Sequence, residues 1–249
     1  MTRQKILITG ASSGLGAGMA RAFAARGRDL ALCARRTDRL EELKAELLDR
    51  HPGIAVAIAP LDVNDHDQVP KVFTELADAL GGLDRVIVNA GIGKGARLGS
   101  GKLWANKATI ETNLVAALVQ IETALEMFHK SGSGHLVLVS SVLGNKGVPG
   151  VKAAYAASKA GVSSLGESLR AEYARGPIRV TVLEPGYIES EMTAKAGSTM
   201  FMVDNETGVK AMVAAIERET GRAVVPWWPW ASLVRVLRVL PPRLTKPFA

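Results

Sequence analysis

A tyrosine and a lysine stand four residues apart in the run GVKAAYAASKAGVSSLGESLRAEY, as Tyr155 and Lys159. On a helix this spacing puts both side chains on one face, with Cβ atoms about 5–6 Å apart. A free phenol titrates near pH 10, too high for easy proton exchange at neutral pH. A cation one helical turn away stabilises the phenolate and lowers that value. The pair therefore has the makings of a proton donor and acceptor, provided that the chain supplies a helix here and a pocket beside it.

The chain has the pattern to do so. KILIT, DLALCA, IAVAIA, RVIVNA, HLVLVS and IRVTVLEP are short continuous apolar runs, as strands covered on both faces of a parallel sheet read. RAVVP at Arg222–Pro226 adds a seventh. Between them lie segments with helical apolar spacing, such as LGAGMARAFAARG, closed by Gly27. Another is TDRLEELKAELLDR, where Thr37 is expected to cap the start and Glu41 and Glu42 to favour the first turn. Longer helices are expected over Leu103–His129 and Ala153–Ala174. Repeated βα units imply an α/β protein with a doubly wound, Rossmann-type fold: a seven-stranded parallel sheet with helices on both faces. No linker divides the chain, so residues 1–226 are read as one domain. That domain includes a substrate lid at about residues 190–210, and residues 227–249 form a tail belonging to it.

Ligands of such sheets lie beyond the carboxyl ends of the strands. The first strand end carries Thr9-Gly10-Ala11-Ser12-Ser13-Gly14-Leu15-Gly16, directly between a strand and a helix. Gly10 permits a tight turn, Gly14 lets backbone approach a pyrophosphate, and Gly16 lets the helix pack close. The helix N-terminus attracts the negative charge.

Composition narrows the alternatives. With 47% hydrophobic and 22% charged residues the chain can bury a sizeable core. Cys33 is the sole cysteine, which excludes an internal disulfide and suits a reducing compartment. The histidines at 51, 66, 129 and 135 have no partner at metal-ligand spacing and are read as surface or loop residues; no metal is expected. Net charge is +7, yet no basic run with interleaved aromatics appears, so nucleic acid is not an expected partner. No stretch reaches the roughly 20 apolar residues of a membrane span.

TGASSGLG, together with Asn89-Ala90-Gly91 and YAASK in that order, resembles the short-chain dehydrogenase/reductase family, over about residues 5–226. The resemblance implies a nicotinamide-dependent oxidoreductase that reduces carbonyls or oxidises alcohols. Tyr155 takes the role of general acid and base; Lys159 holds the nicotinamide ribose and, together with the positive nicotinamide of the oxidised cofactor, lowers the pKa of the tyrosine. Ser141 fits the serine that hydrogen-bonds the substrate carbonyl, with its neighbour Ser140 as runner-up. Asn113 matches the helix asparagine that anchors a water and links Lys159 to solvent. Gly10, Ser12, Ser13, Gly14, Leu15 and Gly16 form the pyrophosphate turn. Asp62 and Val63 match the adenine contact, and Asn89, Ala90 and Gly91 the segment flanking the adenosine ribose. Pro185, Gly186, Ile188 and Ser190 resemble the segment over the nicotinamide.

Cofactor choice is read from the end of the second strand. A carboxylate there would accept hydrogen bonds from a ribose and repel a 2′-phosphate. This chain has Ala34, Arg35 and Arg36 instead, and arginine forks bind phosphate. NADP(H) is expected, with NAD(H) less favoured. A cofactor-sensing binding protein without chemistry is the alternative function. The family also implies a homodimer or homotetramer, in the cytoplasm.

The lid contains Met192, Met200, Phe201 and Met202, adaptable apolar surface that suits a medium-sized lipophilic carbonyl or alcohol. Lys94, Arg97, Lys102 and Lys107 follow the fourth strand and are read as solvated. In the tail, Trp227, Trp228 and Trp230 precede a short helix closed by Pro241. Leu233, Val234, Val236, Leu237 and Leu240 are expected on its apolar face, opposite Arg235 and Arg238. Three uses are open: a lid, an oligomer contact, or an interfacial anchor at the inner membrane face.

Overall fold

A computed structural model describes residues 3–193, 201–239 and 241. Seven strands form one sheet in which every pairing is parallel: β1 (Lys5–Thr9), β2 (Asp29–Ala34), β3 (Val56–Pro60), β4 (Arg85–Val88), β5 (Gly134–Val139), β6 (Ile178–Pro185) and β7 (Arg222–Val225). Their order is β3-β2-β1-β4-β5-β6-β7. The chain winds outward from β1 in both directions, so the crevice between the ends of β1 and β4 is the topological switch point.

Side chains alternate across the sheet. Ile6, Ile8, Leu30 and Leu32 face a layer made by α1 (Gly14–Ala24), α2 (Thr37–Arg50) and α7 (Asn205–Glu217), where Met19, Phe23, Leu40, Met212 and Ile216 are buried. Leu7, Ala31 and Cys33 face the opposite layer. That layer is built from α3 (Gln68–Leu80), α5 (Ala116–Ser131) and α6 (Ala153–Glu172), with Phe73, Ile121, Phe128 and Val162 in its core. Burial raises the Cys33 thiol to about 12, which leaves it an inert apolar group.

Four local expectations give way. Thr37 is the first residue of α2, not its cap; Arg36 holds the cap position, and Asp38 is the acidic residue of the first turn. Arg36 has the extended backbone usual at a cap position. The expected helix over Leu103–His129 is broken into α4 (Leu103–Ile110), a π-helical turn at Glu111–Val115, and α5. His135 is not on the surface. It lies fully buried on the central strand β5, where its Nδ1 accepts from Arg85 Nε at 2.9 Å and its Nε2 meets Thr181 Oγ1 at 2.8 Å. Burial, then the nearby Arg85 and Arg3 charges, hold its pKa well below the ordinary value, so it is a neutral strut. In the tail, α8 (Trp230–Val239) buries Trp230, Val234 and Leu237, while Val236 points outward with Arg235. The buried stripe is narrower than the expected face because one flank alone meets the protein; Leu240 lies outside the described residues.

Candidate active site

The loop between β1 and α1 wraps the switch point. Gly10 and Gly14 have φ of 66° and 53°, a left-handed region that a β-carbon disfavours. A β-carbon at Gly10 would also lie 2.9 Å from Ala90 Cα, so the turn presses directly on the end of β4. Thr9 ties the two strand ends together: its hydroxyl accepts from the backbone N–H of Asn89 and of Ala90, both at 3.1 Å. The Asn89 amide returns a bond to the Thr9 carbonyl at 2.9 Å. The first turn of α1 has no acidic residue and the Ser13 side chain makes no capping bond to it. Its free N–H groups therefore present the positive end of a helix to the crevice.

A groove of about 670 Å³ runs from this turn along the carboxyl ends of the strands. Its lining includes Gly10, Ser12, Ser13, Gly14, Leu15, Gly16, Arg35, Arg36, Asp62 and Val63, and with them Asn89, Ala90, Gly91, Ser141, Tyr155, Lys159, Pro185, Gly186, Ile188 and Ser190. The structure thus gathers every predicted site residue at one groove except Asn113, which stands behind it. The two arginines at its rim are paired with carboxylates: Arg35 with Asp62 at 3.9 Å and Arg36 with Glu191 at 3.0 Å.

At the inner end, α6 begins at Ala153 and carries Tyr155 in its first turn. Lys159 follows one turn later, its Nζ 5.9 Å from the centre of the Tyr155 ring. The ammonium donates to the Val139 carbonyl at 2.8 Å. Burial lowers its pKa to about 8. Tyr155 is raised from the ordinary phenol value, first by burial, with a hydrogen bond to Ser141 opposing and the Tyr187 charge adding to the rise. The lysine alone does not lower the phenol. It sits over the ring rather than against the hydroxyl, and desolvation wins.

The choice between the serines is geometric. Ser140 turns inward, donating to the Lys159 carbonyl at 2.7 Å and meeting Ser163 Oγ at 2.8 Å. Ser141 turns to the groove that Tyr155 also lines, where it favours the phenolate and accepts from the Leu143 N–H at 3.2 Å. Adjacent strand residues point to opposite faces, so just one of the two can reach the phenol. Asn113 is buried in the π-helical turn. Its Oδ1 accepts from Ile92 N at 2.8 Å and its Nδ2 donates to Ile92 O at 2.9 Å and to Ser158 Oγ at 3.3 Å. The widened turn thereby clamps the loop after β4 next to Lys159, and such turns recur at functional sites.

Behind the phenol is an apolar cluster that the sequence reading missed. Val142, Leu143, Val148, Ala156, Trp230 and Val234 are buried together, with Tyr155 and Tyr187 packed against them. The Trp230 indole lies on Gly186, in the place a β-carbon there would take. It meets Tyr187 edge-on at 5.5 Å and Phe201 at 6.1 Å. The tryptophan-rich tail was visible in the sequence, but not which of its rings turns inward. Of the expected lid, Ser190 rests against Gly14, Met192 against Gly93 and Phe201 against Trp230. Met200 and the rest of 194–200 lie outside the described residues. Among the described residues no three His, Cys, Asp or Glu side chains gather as a metal site, and no helix is long and apolar enough to cross a membrane.

A doubly wound parallel sheet, a glycine turn at its switch point and a Ser-Tyr-Lys group at the inner end of the groove define a dinucleotide-binding oxidoreductase. Residues 4–201 match the family model for short chain dehydrogenases. The chain belongs to the short-chain dehydrogenase/reductase family, and its fold binds nicotinamide cofactors. It is 84% identical over its whole length to an uncharacterised oxidoreductase of Mycobacterium tuberculosis, covering 98% of that protein. Another uncharacterised oxidoreductase, from Myxococcus xanthus, is 36% identical over 97% of this chain and 94% of its own. Among solved structures, levodione reductase aligns with a TM-score of 0.81 and 28% identity, covering 90% of this chain and 96% of that one. A Burkholderia phymatum family member in complex with NAD shares the fold, with a TM-score of 0.82 at 20% identity over 94% of this chain and 92% of its own.

Proposed function

We propose that the protein is an NADP(H)-dependent oxidoreductase that interconverts a medium-sized apolar carbonyl compound and its alcohol. The observation that carries this reading is that Ser141, Tyr155 and Lys159 line one groove together, with the Lys159 ammonium 5.9 Å from the centre of the Tyr155 ring. The groove fits the cofactor: glycines clear the turn where a pyrophosphate approaches, and helix N–H groups face it. When bound, the cofactor supplies or accepts the hydride.

The remaining work belongs to the chain. Ser141 donates to the substrate oxygen and holds it beside Tyr155, which delivers the proton in reduction and removes it in oxidation. The buried Lys159 ammonium binds the nicotinamide ribose and stabilises the phenolate as it forms. Asn113 keeps the loop after β4 in place and anchors a water that leads to solvent. Arg35 and Arg36, where a carboxylate would favour the unphosphorylated ribose, support NADP(H). The apolar cluster around Trp230 and Tyr187, with Met192 above the groove, supports an apolar substrate.

In this reading the protein works in the cytoplasm as a homodimer or homotetramer. Leu103, Trp104 and Leu118 leave apolar surface on α4 and α5 for a mate. The first turn of the tail packs on the protein, while Trp227 and Trp228 stay outside, available for peripheral contact with a membrane surface. The test is a panel of carbonyls and alcohols with both cofactors, followed by nicotinamide absorbance. Absence of turnover with every member, despite measured cofactor binding, would replace the enzyme with a cofactor-sensing protein.

A further inference from the structure

The guanidinium of Arg36 is already occupied. Its Nη2 donates to Ser13 Oγ at 2.6 Å and to Glu191 Oε2 at 3.0 Å, its Nη1 to Glu191 Oε1 at 3.4 Å, and its Nε to Ser12 Oγ at 3.4 Å. All three nitrogens are engaged. The carboxylate sits across the fork with two oxygens on two nitrogens, the same geometry in which arginine holds a phosphate. Ser12 and Ser13 belong to the turn that faces the pyrophosphate position, so Glu191 places a negative charge at the anion end of the groove.

We propose that Glu191 is an internal competitor for the 2′-phosphate of the cofactor and so sets how strongly the chain prefers NADP(H). This rests on the reading that Arg36 takes that phosphate. The carboxylate and the phosphate cannot share the fork: they would need the same N–H groups, and like charges at that separation repel. Binding of the phosphorylated cofactor therefore displaces Glu191, whereas the unphosphorylated cofactor leaves the pair intact. The displacement is open to the side chain, which is 61% exposed. Glu191 is also fastened to both sides of the groove through its neighbours. Ser190 lies against Gly14, and Met192 crosses to Gly93 beyond the end of β4. Releasing Arg36 thus frees the strap at the adenosine end, and phosphate recognition is linked to the covering of the groove.

Among the described residues Arg35 has no equivalent competitor. Its contact with Asp62 is a single one at 3.9 Å between two well-exposed groups. The asymmetry makes Glu191 the residue to change.

Equilibrium binding of adenosine 2′,5′-bisphosphate and of adenosine 5′-monophosphate, followed by titration calorimetry on the full chain, isolates the effect from turnover. Glu191→Gln and Glu191→Ala are expected to tighten the bisphosphate about three- to tenfold, from loss of an exposed ion pair that competes for Arg36. The monophosphate should change less than about twofold. The gain should shrink in about 0.5 M salt and disappear in an Arg36→Gln background, as the double-mutant cycle requires. Unchanged bisphosphate affinity, an equal gain for both nucleotides, or a gain that survives Arg36→Gln would each overturn the proposal. If the unmodified protein binds the two nucleotides equally, the reading of Arg36 itself fails and the proposal falls with it.

Discussion

Replacing Trp230 by alanine tests whether the tail is part of the active-site scaffold. The indole is fully buried between Gly186, Tyr187 and Phe201, in a cluster that also supports the Tyr155 ring. Removing a buried tryptophan typically costs about 3–5 kcal/mol. Here the lower end applies, because Trp230 Nε1 is buried without a hydrogen-bond partner among the described residues. The unmodified protein already carries that unsatisfied donor, a burden of roughly 1–3 kcal/mol that the variant sheds. A net loss of about 3 kcal/mol, at about 2–4 °C per kcal/mol for a chain of this size, lowers the melting temperature by roughly 6–12 °C. Trp230→Phe keeps an aromatic ring between Tyr187 and Phe201 and drops the N–H, so it should lose no more than about 1 kcal/mol. Thermal unfolding followed by circular dichroism reads the global effect. Hydrogen exchange over residues 230–239 shows whether α8 undocks alone. Cofactor affinity should hold while KM for an apolar carbonyl rises, because the cluster walls the phenol end of the groove and leaves the phosphate turn untouched. A variant that melts within about 2 °C of the unmodified protein, with unchanged exchange in α8, would refute the docking argument.

Tyr155→Phe should lower kcat by about 10²–10⁴-fold while NADPH binding is nearly unaltered, since the hydroxyl moves a proton and binds no phosphate; a rate above about a tenth of the original would remove it from the chemistry. Replacing Arg35 and Arg36 together should weaken NADPH far more than NADH, by roughly 1–3 kcal/mol for each charge-assisted contact, measured as dissociation constants for both. Lys159 has a folded pKa lowered to about 8 by burial. The unfolded chain then binds more protons above that pH, and stability should rise between about pH 8 and the free-lysine value near 10.4. Lys159→Met should remove that rise and also weaken NADPH through loss of the ribose contacts. A stability profile with the same slope in both proteins would show that the lysine is not desolvated.

Much of the site was legible because its signals are local. Gly10 and Gly14 announce a turn that β-carbons disfavour, and four-residue spacing puts Tyr155 and Lys159 on one face whatever the rest of the chain does. The arginines after β2 were legible for the same reason. Continuous apolar runs alternating with helical ones were enough for the parallel sheet, since strands covered on both faces draw mainly on apolar residues. What those residues bond to was another matter. Arg36 meets Glu191 from 155 positions away, and no spacing rule connects them.

The sequence by itself determined the winding of the sheet, the phosphate turn and the Tyr-Lys pair, each encoded within a few consecutive residues by backbone stereochemistry or helical period. Tertiary structure alone decided that Ser141 and not Ser140 faces the phenol, because the pleat at the end of β5 leaves one serine for each side. It placed His135 in the interior, because the strand order puts β5 between β4 and β6 and an arginine beneath it. It turned Trp230 inward and left Trp227 and Trp228 outside, because a gap over Gly186 admits one indole. It also set the Tyr155 phenol above its ordinary value in the chain alone, since burial by a packed wall dominates while the lysine lies over the ring. Each of these outcomes depends on the surface a distant segment presents, which the order of residues along the chain does not display.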